Sequence, residues 1–154
     1  MGVVRVCGGG RVMSIEIFVM SDRRLGSMAE WQQAIDKEGF ALRLDASRPL
    51  EALHGHLPAW RGREPAGFEC DHWDPAKLLD NDDLADIDFG HRWTQALAIR
   101  FGGDFLALWG AFAAATAYAR ATGGVVFDAE SNEVFTPDKS AEVVRDIELE
   151  LGKA

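Results

Sequence analysis

Residues 94–128 read TQALAIRFGGDFLALWGAFAAATAYARATGGVVFD, and this stretch decides the fold class. Thr94 to Phe101 alternates, placing Leu97, Ile99 and Phe101 on one face as a strand packed on a core requires. Gly102-Gly103-Asp104 supplies a turn and an N-cap, since the aspartate oxygen can accept an orphan N–H of a first helical turn. Phe105 to Ala121 then reads as an alanine-rich helix, apolar nearly all the way round and expected to be the most buried helix. Gly110, Ala113, Ala114 and Ala117 form a small-residue face that can lie close against a sheet. Thr122-Gly123-Gly124 ends the helix. Val125 to Asp128 and Glu133 to Thr136 make a hairpin around Ala129-Glu130-Ser131-Asn132. Thr136 and Pro137 cap a terminal helix, Asp138 to Leu151, with Val143, Val144, Ile147 and Leu151 inward.

The N-terminal half repeats the strand–helix order. Ile15 to Met20 has Ile15, Ile17 and Val19 on one face and Phe18 and Met20 on the other, so the strand should be central and covered on both sides. Ser27-Met28-Ala29-Glu30 is a capping box, Trp31, Ala34, Ile35 and Glu38 recur at helical spacing, and Gly39 provides the left-handed stop. A second strand is expected at Phe40 to Leu44. Pro49 to His54 suits one helical turn. Leu57 to Gly62 suits a short strand that Pro58 confines to an edge, before the bend at Arg61-Gly62-Arg63. Gly67 to Trp73 is a strand with Phe68, Cys70 and His72 on one face and Glu69, Asp71 and Trp73 on the other. Pro75 to Phe89 reads as a short amphipathic helix followed by an acidic loop, its apolar residues being Leu78, Leu79, Leu84 and Ile87.

This order predicts one α+β domain over residues 13–151, with helices packed on a mixed or antiparallel sheet. A ferredoxin-like arrangement of two strand–helix–strand units is the leading topology. Met13-Ser14 directly precedes the first strand, and residues 1–12 are read as a tail from an upstream start. The alternative is an added strand at Val3, Val4 and Val6 ending at Gly8-Gly9-Gly10.

Composition bounds the function. A chain of 154 residues, 47% apolar and 27% charged, is long enough to bury a core and unlike a disordered or membrane protein. Its formal net charge of −9 repels phosphates, which argues against nucleic acid and anionic membrane surfaces and leaves a basic protein or a small neutral or cationic ligand. Cys7 and Cys70 make no disulfide framework, as expected of a cytoplasmic protein. The longest apolar run, Phe105 to Ala119, is too short to span a bilayer, and Met1 to Met13 lacks the apolar core of a signal peptide.

Three groups of residues could carry chemistry. His54 with His56, and Cys70 with His72, sit two apart, so on strands each pair would share a face and the four could complete a tetrahedral zinc site. Neither spacing is that of a zinc knuckle. The plain reading puts Cys70 and His72 in the core with Phe68 and the other two histidines on a loop, with no cofactor. The second group is acidic: Glu69, Asp71, Asp74, Asp80, Asp82, Asp83, Asp86 and Asp88, opposed among lysines and arginines only by Lys77. It is either a solvated face, a docking surface for a basic protein, or part of a small metal-dependent hydrolase drawing on residues 54–91. No calcium-loop glycine or distal glutamate stands at the right offset. Third, Asp88 and His91 could form an acid–base pair, but no nucleophile motif, phosphate loop or dinucleotide fingerprint accompanies them. Asp128, Glu130 and Asn132 alternate like a cation loop, yet Glu133 replaces the required glycine, so a plain hairpin is expected. Trp60, Trp73 and Trp93 lie outside the regular helices. Most should fill the core, with Trp73, set among charges, partly exposed.

The run from the alanine-rich helix through Thr122-Gly123-Gly124-Val125-Val126-Phe127-Asp128 to Thr136-Pro137 resembles small uncharacterised bacterial α+β proteins, some of them similar to immunity proteins of toxin systems. The likeness covers the last third of the chain. It implies a compact, acidic, catalytically inert binder and assigns no site residues.

Overall fold

A computed structural model of the chain describes residues 5–6 and 13–152. Cys7 and the remainder of the 1–12 segment lie outside the described residues. Arg5–Val6 (β1) pairs antiparallel with the start of the long strand Met13–Ser21 (β2).

After β2 comes helix α1 (Met28–Glu38), whose capping box forms with a shift: Ser27 Oγ accepts from the Glu30 N–H at 3.1 Å, while Glu30 reaches back to the Gly26 N–H at 2.5 Å. Gly39 ends it at φ 82°, a left-handed conformation that glycine adopts without penalty. The next elements are short: β3 (Arg43–Leu44), a 3₁₀ turn at Leu50–Ala52, β4 (His56–Leu57), β5 (Ala59–Arg61) and β6 (Glu64–Pro65). Then follow β7 (Phe68–Trp73), the single turn α2 (Ala76–Leu79), β8 (Gln95–Phe101), α3 (Phe105–Thr122), β9 (Val125–Asp128), β10 (Glu133–Phe135) and α4 (Pro137–Leu151).

Six strands of the main sheet run in the order β10–β9–β2–β8–β7–β4, with β1 added off that path against β2, and β3–β5–β6 form a small second sheet. Every described pairing is antiparallel, so the expectation of a mixed or antiparallel sheet resolves to the latter. The strand expected at Phe40–Leu44 shrinks to Arg43–Leu44 and joins the small sheet instead. Phe40 and Leu42 are buried as side chains without a ladder partner for their backbone. Pro58, having no N–H, separates β4 from β5, so Leu57 to Gly62 becomes two strands in two sheets.

β2 is central and buried on both faces, for different reasons. On one face Ile17 and Val19 join Cys70, Leu97, Ile99 and Val126 beneath α1, α3 and α4. α3 is the most buried helix, and it contacts β2, β8, β9, α1 and α4. Its small residues serve more than the sheet: a Cβ on Gly110 would run into the Ala66 carbonyl between β6 and β7. On the opposite face Phe18, Met20, Ala98 and Phe127 meet Leu78, Phe89, Trp73, Leu79, Leu84, Ile87 and Trp93. Residues 73–93 therefore roof the back of the sheet, and the amphipathic pattern of that segment is the pattern of a cover.

Candidate functional site

The roof has two sides with opposite chemistry. Pro75 starts α2, with the Asp74 carboxylate accepting the Ala76 N–H at 3.0 Å, and Asn81 caps the 3₁₀ turn Asp82–Leu84 by accepting the Asp83 N–H at 2.9 Å. Those turns send Leu78, Leu84, Ile87 and Phe89 down onto the sheet and leave Asp80, Asp82, Asp83, Asp86 and Asp88 exposed. Phe89 seats edge-on against Phe127, ring centres 5.0 Å apart, and Trp93 ties its indole N–H to the Phe89 carbonyl at 2.9 Å. The acidic surface is thus mounted on an apolar underside.

Its charges are unevenly compensated. Arg92 reaches Asp80 at 3.0 Å, and that hydrogen bond holds the carboxyl below its ordinary range. Glu69 shares Arg100 with Glu16, at 3.6 and 3.2 Å. Asp71 accepts from the Gly55 N–H at 3.1 Å and meets His54 Nδ1 at 2.6 Å. Asp88 accepts the Gly90 N–H at 2.8 Å. Among the described residues Asp82, Asp83, Asp86 and Asp88 take part in no ion pair. The uncompensated surface is therefore narrower than the whole Glu69–Asp88 stretch. Lys77, the lone basic residue of that stretch, lies over the Trp73 ring at 4.6 Å. A cavity of about 270 Å³ opens here between the roof and the sheet, with Phe18, Trp73, Lys77, Asp83 and Asn132 in its walls.

The four proposed metal ligands do not converge. Cys70 is fully buried on the helix face, where burial first and the Asp71 charge second push its thiol pKa up, away from the thiolate that binds metal. His72 Nε2 lies 2.9 Å from the Leu50 carbonyl, an acceptor it can meet only as a donor, so that nitrogen is protonated and closed to a cation. His54, 91% exposed, turns instead to Asp71, whose side chain leaves β7 on the other face. His56 is exposed on β4. No group of three or more histidine, cysteine, aspartate or glutamate side chains among the described residues could hold a metal ion. The two-residue spacings offer ligand pairs, but the sheet buries Cys70 and only half-buries His72, and His54 lies ahead of the strand that carries His56.

His91 does not pair with Asp88. Its Nε2 contacts Asp22 at 2.7 Å, and Asp22 also accepts from the Thr94 N–H and hydroxyl, each at 3.1 Å. The desolvation that would raise the Asp22 pKa is outweighed by these bonds, which hold it below its ordinary value. Asp22 follows β2 directly, and only the pairing of β2 with β8 brings it beside Thr94. No sequence pattern joins residues that far apart. Trp73 is partly exposed as anticipated, and so are Trp60 and Trp93, although Trp93 like Trp73 packs against the apolar cluster under the roof.

No helix among the described residues is long and apolar enough to cross a membrane. Compared with family models, curated proteins and solved structures, the chain matches none.

Proposed function

We propose that this protein is a non-enzymatic binding domain, immunity-like in character, that meets a basic partner protein through Asp82, Asp83, Asp86 and Asp88. The observation that carries this reading is the two-sided roof: apolar residues anchor it to the sheet while those four carboxylates face solvent with no ion-pair partner among the described residues. Carboxylates so held are desolvated at lower entropic cost than those of a loose loop, and they steer a cation-rich surface into register. Glu69 and Asp71 alternate with Trp73 along β7 and extend the acidic surface toward the strand that the roof covers. The order β9–β2–β8–β7, with α1 after the first strand in sequence and α3 after β8, supports a ferredoxin-like core extended by β10, β4 and the small sheet.

The test is binding to the basic products of genes flanking its own, measured at low and high salt. The reading expects affinity that falls steeply with salt and falls again when Asp82, Asp83 and Asp86 are changed together to asparagine. Binding that ignores both changes, or no binding at low salt, overturns it.

A further inference from the structure

A second concavity lies on the other side of the sheet, in the helix layer beneath the β9–β10 hairpin. Ile15, Leu108, Phe112, Phe135, Val143 and Ile147 wall a cavity of about 280 Å³ between α3, α4 and the sheet. Its polar wall comes from one place, the hairpin, which contributes Asp128, Glu130, Ser131 and Glu133. Among the described residues no lysine or arginine lines it. Asp128 accepts the Glu130 N–H at 2.9 Å, which closes the turn that carries these side chains. The Ser131 hydroxyl is buried there without a hydrogen-bond partner among the described residues. An apolar slot of this size with a few convergent polar groups is the usual form of a small-molecule site.

We infer that this cavity takes a small cationic amphiphile: a short aliphatic or aromatic group carrying an ammonium. The apolar part enters between α3 and α4, where burial of each methylene is favourable. The ammonium stays at the mouth with Asp128 and Glu133, the charged groups there among the described residues being negative. An anion of the same shape gains the same apolar burial but is repelled there, so charge selects the ligand and chain length sets its affinity. This site shares no residue with the aspartate roof.

Titrating the full chain with n-alkylammonium chlorides from butyl to octyl, followed by methyl NMR and calorimetry, tests this. Affinity should rise about fourfold per added methylene, and octanoate should bind at least about tenfold more weakly than octylammonium. Shifted methyls should be those of Ile15, Leu108, Val143 and Ile147. E133K should weaken octylammonium and improve octanoate without unfolding the protein, since Glu133 is exposed. V143F should fill the cavity and abolish both. Equal binding of octanoate and octylammonium, affinity independent of chain length, or shifts centred on residues 80–88 would each overturn the inference. The last result would leave the proposed protein-binding surface standing.

Discussion

Trp31 and Ala114 are joined across two packed helices: the indole N–H of Trp31 in α1 donates to the Ala114 carbonyl in mid-α3, at 3.0 Å and out of reach of water. The same ring meets Tyr118 edge-on, centres 5.3 Å apart. Trp31 is fully buried, so the bond satisfies a donor that would otherwise be stranded. Trp31→Phe should cost about 2–3 kcal/mol, from lost volume and one hydrogen bond. Urea unfolding measures it. A loss below about 1 kcal/mol would show that the helix pair does not depend on this contact.

Gly110 touches Ala66 so closely that no side chain fits between them. Helix propensity alone would make Gly110→Ala stabilising by about 1 kcal/mol. The clash with the Ala66 backbone should reverse the sign, giving a net loss of about 1–3 kcal/mol. Thermal or denaturant unfolding of the variant separates the two, and a stabilised variant would refute the close approach.

Cys70 should make the protein weaken in alkali. Its pKa is raised in the folded state by burial and by Asp71, so the folded form holds its proton where the unfolded thiol, near 9.0, gives it up. Stability is then flat below pH 9 and falls above it by about 1.4 kcal/mol per pH unit. Tyr118, raised mainly by burial, adds the same sign above its ordinary 10.0. In a Cys7→Ser background, Cys70→Ala should flatten the decline between pH 9 and 10. A thiol reagent should fail to label Cys70 until the chain unfolds, and rapid native labelling would contradict its burial.

The two sides of the roof should separate by mutation. Asp82→Asn, Asp83→Asn and Asp86→Asn should each change stability by less than about 0.5 kcal/mol, because these groups lie exposed with no ion-pair partner among the described residues. Leu78→Ala or Phe89→Ala should each cost about 2–4 kcal/mol, since both are buried against the sheet. Comparable losses on the two sides would mean that the aspartates are part of the packing.

Much of the fold was legible because local rules were strong. The alternation of Ile15 to Met20, the cap at Ser27, the turn at Gly102-Gly103-Asp104 and the cap at Thr136 each yield elements within a residue or two of those expected. The failures share a cause. Phe40 and Leu42 alternate as a strand would and are buried, but a strand needs a backbone partner, and in this segment only Arg43–Leu44 finds one. The candidate site divided in the same way. That Asp80 to Asp88 are dense in charge and flanked by leucines is written in the chain; that Arg92 neutralises Asp80 and Arg100 neutralises Glu69 is not.

By itself, then, the sequence determined the periodicities, the caps, the acidity and the two-faced character of the first strand, since each depends on neighbours within a few residues. Only the tertiary structure decided what covers the second face, which carboxylates stay unpaired, and that His54 and His72 part company across the sheet. Those outcomes hang on pairings such as β2 with β8, between segments about 80 residues apart. Their contacts exist only once the loop between them has closed, and no local pattern encodes that closure.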